Sequence, residues 1–192
     1  AKAAKEPETE AAPVAESKSL TGLYANESAL VYVASTGADL PLSDIEAMET
    51  LIRGNAAPSK DLLDRLRSSK LLVVAKDDGK VVGCMGLQAK SADYVTTTNT
   101  KAGTTLPTDA LEICWINVTV ERRGAARDGV IVNMFDTLKS SKANNPELAG
   151  KALYAVYNVG NVAGYEAMAL LGMRKHDREH KGLVKPAQVF LG

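Results

Sequence analysis

The sequence predicts a single α/β domain in which a mixed β-sheet is flanked by helices. Three observations carry this prediction. Residues 71–75 and 81–87 are apolar runs joined by an Asp-Gly turn, a pattern typical of a β-hairpin. Residues 111–120 form an apolar strand pattern that runs through a glycine-containing loop into a helical pattern. Residues 152–157 repeat this order, because a second apolar strand precedes a helix that Asn161 opens.

The start of the chain differs in composition from the rest. Residues 1–20 carry Ala, Glu, Lys and Pro with almost no large apolar side chain, so they cannot bury enough surface to offset their ordering entropy. We therefore expect an extended low-complexity tail over residues 1–27 and a folded domain over residues 28–192. We also expect residues 1–20 to order only along a neighbouring subunit of a protein assembly.

Composition and charge exclude several function classes. The chain has 192 residues, of which 45% are hydrophobic, and this suits one domain with a sizeable core. The 23 basic and 23 acidic residues cancel, so we expect no nucleic-acid partner and no anionic membrane partner. The apolar runs are only a few residues long, whereas a membrane-spanning helix needs ~20. We therefore expect a cytoplasmic protein, or one within a viral particle if the chain is a structural subunit.

The cysteines and histidines do not indicate a metal site. Cys84 and Cys114 both fall within apolar strand patterns, which favours a reduced, buried pair over a disulfide. His176 and His180 lie in a charged segment near the end of the sequence. No Cys/His spacing is typical of zinc ligands, so we expect no metal.

The elements between the tail and the central strands follow from local signals. Residues 29–34 are β-branched and aromatic and predict a first strand. Ser43 and Glu46 have the spacing of a capping box, which predicts a helix that begins after Ser43. Ser59 predicts the start of a second helix. Two helices are therefore expected between the first strand and the hairpin.

Residues 90–109 form a long connection rich in Thr, Ser and Ala. An unstructured loop of this length is uncommon inside a compact domain. We therefore expect either a small extra hairpin or an arm that contacts a protein partner.

Residues 121–127 join the strand over residues 111–120 to the next helix. A glycine-containing turn there directs several backbone N–H groups at one point, where the helix dipole adds positive potential. The sequence thus predicts an anion cradle, although a solvated turn with arginines for solubility is the alternative. In the pattern Q/R-x-x-G-x-G/A, Gly124 and Ala126 occupy the last two positions and Glu121 the first. The cradle N–H groups belong to Arg123, Gly124, Ala125 and Ala126.

A second motif lies at the helix that follows residues 152–157. In the pattern N-x-x-A-x-x-x-Y-x-x-x-G-F, Asn161, Gly172 and the apolar Met173 align. Gly164 replaces the Ala and Met168 replaces the Tyr.

These two motifs and the order of elements from residue 28 to 190 resemble the Gcn5-related N-acetyltransferase (GNAT) family. The resemblance implies a mixed, mostly antiparallel sheet flanked by helices, and acetyl-CoA as the cofactor whose pyrophosphate the 121–127 loop holds. It also implies that the backbone of Val118 and Val120 binds the pantetheine arm. Asn161 either contacts CoA, as the matching family position does, or only caps its helix.

The resemblance further implies a general acid, and the strand over residues 111–120 offers a candidate general base. Glu112 is the one carboxylate in its strand, and burial raises the pKa of such a group toward that of a useful base. The alternative places Glu112 at the wet end of the strand or in an ion pair. Tyr165 lies one helical turn before Met168 and is the candidate acid, since Met has no proton to donate.

Two functions are consistent with this sequence. The first is an acetyl-CoA-dependent N-acyltransferase in which an amine attacks the thioester directly. The second is a non-catalytic structural subunit of a larger assembly, such as a viral particle, that uses the same scaffold. The missing Tyr and the departure at Glu121 favour the second.

Overall fold

Seven strands and five helices make up the computed structural model, which describes residues 30–122, 124–182 and 185–192. The expected tail over residues 1–27, and its role in assembly, lie outside these residues. In chain order the elements are β1 (Val31–Ser35), α1 (Leu42–Arg53), α2 (Lys60–Arg67), β2 (Leu71–Asp77), β3 (Lys80–Ala89), α3 (Ala92–Ala102), β4 (Leu111–Val118), α4 (Ala125–Ala143), β5 (Leu153–Asn158), α5 (Val162–Leu170), β6 (Arg174–Lys181) and β7 (Pro186–Leu191).

The strands form one sheet in the order β1-β2-β3-β4-β5-β7-β6. Every neighbouring pair is antiparallel except β4 and β5, which are parallel. The predicted mixed, mostly antiparallel sheet flanked by helices is therefore confirmed. The β2–β3 hairpin turns at Asp78 and Gly79, whose φ angles of 46° and 76° are those that the Asp-Gly signal predicts.

The two faces of the sheet carry separate apolar clusters. Helices α4 and α5 cover one face, where Met134, Leu138 and Met168 are fully buried. Helices α1 and α2 cover part of the other face, around Met48 and Leu66. Cys84 and Cys114 are both free thiols, as predicted, but only Cys84 is fully buried.

The predicted start of α1 is wrong, whereas that of α2 is confirmed. Helix α1 begins at Leu42 after Pro41, so Ser43 lies inside the helix and caps nothing. Leu40 and Ile45 are both buried in one cluster, and this hydrophobic staple across the first turn fixes the helix start instead. At α2, the Ser59 hydroxyl accepts a hydrogen bond of 3.2 Å from the Leu62 N–H.

The small hairpin expected within residues 90–109 is corrected to helix α3, whereas a contact of this segment with a protein partner stays a prediction. The Ser91 hydroxyl accepts a hydrogen bond of 3.2 Å from the Tyr94 N–H at its start, and Gly103 ends it with φ of 73°. Val95 and Ala102 are buried in a third apolar cluster against β5 and β7. Caps and burial thus outweigh the modest helix propensity of threonine.

Two kinds of feature are absent from the described part of the chain. None of its helices is both long and apolar enough to cross a membrane. It also contains no group of His, Cys, Asp and Glu side chains placed to hold a metal ion.

Candidate functional site

The central feature of the sheet is the gap between β4 and β5. These strands pair only where Leu111 meets Leu153 and Glu112 meets Tyr154. Beyond that point β4 carries a bulge against β3, and Trp115 within it has a φ of 58°. The two strands therefore separate, and the backbone of the second half of β4 faces a gap rather than a partner strand.

Gly86 on β3 makes room for the Trp115 ring. A Cβ atom at Gly86 would lie 3.0 Å from that ring and 2.7 Å from the Leu72 side chain. Arg65 also lies over the ring, with its guanidinium carbon 5.7 Å from the centroid. Trp115 is therefore wedged against the sheet, which stabilises the bulge and the strand separation that it produces.

The gap opens into a cleft of about 540 Å³ on the face of the sheet that α4 and α5 cover. The C-terminal half of β4 and the residues directly after it supply one wall, which includes Val118 and Val120. Tyr157 on β5 and Asn161 at the start of α5 supply another. The cleft thus brings together three of the residues that the sequence indicates as a binding site.

Helix α4 begins at the cleft. Gly124 precedes it with φ of 58°, and no described atom lies within 4 Å of the position that a Cβ would take. The first N–H groups of a helix have no intrahelical acceptor, so those of Ala125 and Ala126 are donors for an anion. Arg123, the fourth residue of the predicted cradle, lies outside the described residues.

Two arginines that line this end of the cleft are also held by carboxylates. Arg122 Nη2 lies 2.5 Å from Asp77 Oδ2, and Arg127 Nη1 lies 3.6 Å from Glu166 Oε2. These ion pairs orient the guanidinium groups beside the α4 N-terminus while part of their donor capacity is left over. The end of the cleft is therefore suited to a phosphate group.

Asn161 caps helix α5, as one of its two interpretations predicts. Its Oδ1 accepts a hydrogen bond of 3.0 Å from the Gly164 N–H. Its contact with CoA stays a prediction, although the side chain lines the cleft.

The departure from the second motif at Gly164 has a steric reason. A Cβ atom at this position would lie 2.5 Å from Cδ1 of Tyr157, so the ring occupies the space that Ala would need. Tyr157 is thereby held between β5 and α5 at the cleft wall. Burial raises the pKa of its hydroxyl, which therefore stays protonated at neutral pH.

The candidate acid Tyr165 is placed differently. Its ring packs edge-on against Phe190 at 5.0 Å, and its hydroxyl is buried without a hydrogen-bond partner among the described residues. It is not part of the cleft lining. Met168, at the motif's Tyr position, is fully buried in the core. Tyr157, and not Tyr165, therefore lines the cleft. Its position in an apolar strand gave no reason to predict this.

Glu112 lies on the opposite face of the sheet from the cleft. It is 8% exposed, and its Oε2 is 3.6 Å from Lys90 Nζ and 3.5 Å from the Tyr154 hydroxyl. Burial raises its pKa more than the Lys90 charge lowers it. Glu112 is therefore in an ion pair, as one interpretation of the sequence predicts. Its pKa is also raised, as the interpretation of Glu112 as a base predicts.

A second cavity of about 410 Å³ lies on the same face as Glu112. Helix α3 forms one side of it, and β5, β6 and β7 form the other. Tyr94 on α3 lines it, and burial together with the Glu112 charge raises the pKa of Tyr94 to about 12. The charge of Glu112 therefore reaches the edge of this cavity.

Comparison with known proteins identifies the fold. No protein-family model and no curated protein sequence matches this chain. Among solved structures, an acyl-CoA N-acyltransferase from Pseudomonas aeruginosa is 14% identical, with a TM-score of 0.57 over 85% of this chain and 99% of the other. A GNAT-family acetyltransferase from Bacillus cereus is 13% identical, with a TM-score of 0.54 over 84% and 96%. Arabidopsis thaliana NAA60, solved with acetyl-CoA, is 11% identical, with a TM-score of 0.57 over 85% and 98%. The chain therefore has the GNAT fold, as the sequence resemblance predicted.

Proposed function

We propose that this chain is an N-acyltransferase that uses acetyl-CoA as its acyl donor. The observation that carries the proposal is the cleft that opens where β4 separates from β5 and that ends at the N-terminus of α4. NAA60, one of the similar structures, was solved with acetyl-CoA. Acetyl-CoA supplies a thioester, which an amine converts to an amide.

The cleft has the features that an extended, phosphate-bearing donor requires. The backbone of Val118 and Val120 borders it beyond the β4–β5 pairing, where main-chain groups can bind the amides of a pantetheine arm. The α4 N-terminus, Arg122 and Arg127 provide donors and positive charge for the phosphates. The open space beside Gly124 leaves the approach to these donors clear.

We assign the proton transfers to two side chains, one on each face of the sheet. Tyr157 would donate its phenolic proton to the departing sulfur and recover a proton from solvent. Glu112, with its raised pKa, would accept a proton from the attacking amine on the other face. Tyr165, the acid that the sequence indicates, does not line the cleft and is the alternative donor.

The test is calorimetric titration of the full chain with acetyl-CoA and CoA, followed by turnover with a panel of amines. We expect micromolar binding, and a thermal shift that grows with ligand concentration. Gly124→Glu should abolish binding because it places a negative side chain where phosphates approach.

Gly54→Glu is a matched control for that variant. Gly54 has φ of 57° and ψ of −121°, close to the 58° and −136° of Gly124, so both substitutions strain the backbone alike. Gly54 lies at the end of α1 and does not line the cleft. Equal CoA affinity in both variants would contradict the phosphate site, and no heat at millimolar CoA would contradict the function.

A structural subunit of a larger assembly, such as a viral particle, is the second candidate. The sequence taken alone favours it, because Met168 stands where the motif has a tyrosine and its side chain fills the core. On this alternative residues 1–20 contact a neighbouring subunit, and the chain binds neither acetyl-CoA nor CoA. The same titration therefore decides between the two.

A further inference from the structure

We infer that the cavity between α3 and β5 binds the acceptor, and that the acceptor is a small amine carrying an anionic group several bonds away. This inference rests on the proposed function, because it assigns the second substrate of the same reaction. It is carried by the position of the cavity, the charge of its lining and an unpartnered imidazole nitrogen.

The position of the cavity is opposite the donor cleft on the same stretch of β5. Val156 and Asn158 line the cavity, whereas Tyr157 between them lines the cleft. Successive side chains of a strand point to opposite faces, and β4 has already separated from β5 at this level. Ligands in the two spaces therefore approach one segment of β5 from opposite faces.

The lining of the cavity is suited to an anion. Lys101 on α3 and Lys181 on β6 both border it, and none of its described lining residues is an aspartate or glutamate. Thr97 and Thr98 add hydroxyl groups from the α3 side. The remaining wall includes the Val156 side chain, which suits an apolar stem between the charged ends of a ligand.

His180 provides an independent indication that something polar belongs here. It lines the cavity, and its Nδ1 atom is buried without a hydrogen-bond partner among the described residues. A buried nitrogen without a partner costs free energy, and a ligand group can recover it when the imidazole ring turns this nitrogen toward the cavity. Burial and the nearby Lys101 charge lower the pKa of this imidazole, so the neutral ring can donate or accept one hydrogen bond.

The two ends of α3 suggest how the acceptor is oriented. Tyr94 lies at the end close to Glu112, and Lys101 lies seven residues later, roughly 10 Å along the helix. We place the amine at the Tyr94 end, which is the end nearer to Glu112, and the anionic group at the Lys101 end. A linear chain of several methylene groups would connect them.

The test uses three probes that differ at one end: 6-aminohexanoate, its neutral amide and 6-aminohexylphosphonate. Acetyl transfer from acetyl-CoA is measured as kcat/KM, and binding without donor is measured by ligand-observed NMR. We expect both anionic probes to exceed the amide by about tenfold, the usual effect of one charge-assisted hydrogen bond. The ratio of carboxylate to phosphonate shows which anion the site prefers.

The test variant is a double variant that carries Lys101→Met and Lys181→Met. Lys60→Met is the control. Lys60 is an exposed lysine on α2 that lines neither space. The double variant should lose the preference for anionic probes, while the control keeps it. If the double variant fails to fold, the single variant Lys101→Gln is read in the same way, since Lys101 is exposed.

The outcomes for this inference and for the proposed function are distinct. Equal kcat/KM for the amide and the anions, or a preference that survives in the double variant, overturns the inference even if CoA binds. Lysine-dependent binding of the anionic probes without any CoA binding would support an anion site and overturn the transferase function.

Discussion

Removing the Tyr157 hydroxyl is the sharpest perturbation of the proposed chemistry. In Tyr157→Phe the ring keeps its contact with Gly164 and its edge-on packing against Phe190 at 6.2 Å. The free energy of unfolding should therefore change by less than about 1 kcal/mol. A positioned general acid contributes about a hundredfold or more, so kcat should fall by at least that factor. This corresponds to about 2.7 kcal/mol of activation free energy.

The assay separates chemistry from binding. Single-turnover acetyl transfer should show the loss, whereas the affinity for acetyl-CoA should change by less than about twofold, because the lost group acts only as the C–S bond breaks. Tyr165→Phe is the control, since its hydroxyl is buried away from the cleft. An unchanged kcat in Tyr157→Phe refutes the assignment, and a loss confined to Tyr165→Phe returns the acid role to Tyr165.

For three further perturbations, the structure determines whether stability or turnover should rise or fall. Gly164→Ala restores the motif residue. It should nevertheless destabilise the fold by about 1–3 kcal/mol and lower kcat, because the new Cβ meets the Tyr157 ring. A gain in stability measured by urea unfolding would contradict this. Met168→Tyr should cost a similar amount without raising turnover, since Met168 is fully buried; faster turnover would show that no other acid acts. The raised pKa of Glu112 means that the folded state binds its proton more tightly, so stability falls as pH rises from about 4.5 through the folded pKa. Urea unfolding of Glu112→Gln should lack that fall, and a parallel pH profile would contradict the burial argument.

The features that could be predicted from sequence are those that a few neighbouring residues determine. The Asp78-Gly79 turn supplies two positive φ angles, and it formed the predicted hairpin. Asn161 capped its helix because its side chain reaches an N–H only three residues away. Helix α3 was missed although Ser91 and Gly103 mark its ends, because the threonines between them have low helix propensity. Its stability comes from packing on β5 and β7, which no local pattern shows.

The features that could not be predicted depend on pairs of residues far apart in the chain. The bulge at Trp115 requires Gly86, which lies on the neighbouring strand and leaves space for the ring. Likewise, the cavity lining joins lysines on α3 and β6 that only the sheet order brings together. The sequence shows that both residues of such a pair are present, but it does not show that they lie close together.

The two departures from the second motif have a common explanation in the structure. In the sequence, Gly164 and Met168 are two separate departures from the motif. The second removes the phenol that the motif places on this helix. In three dimensions, the glycine admits the Tyr157 ring, and Tyr157 presents a protonated phenol to the cleft from the strand. A methionine in the core beside a phenol on the strand is therefore a self-consistent site. For this reason the missing motif tyrosine does not by itself favour the structural subunit over the transferase.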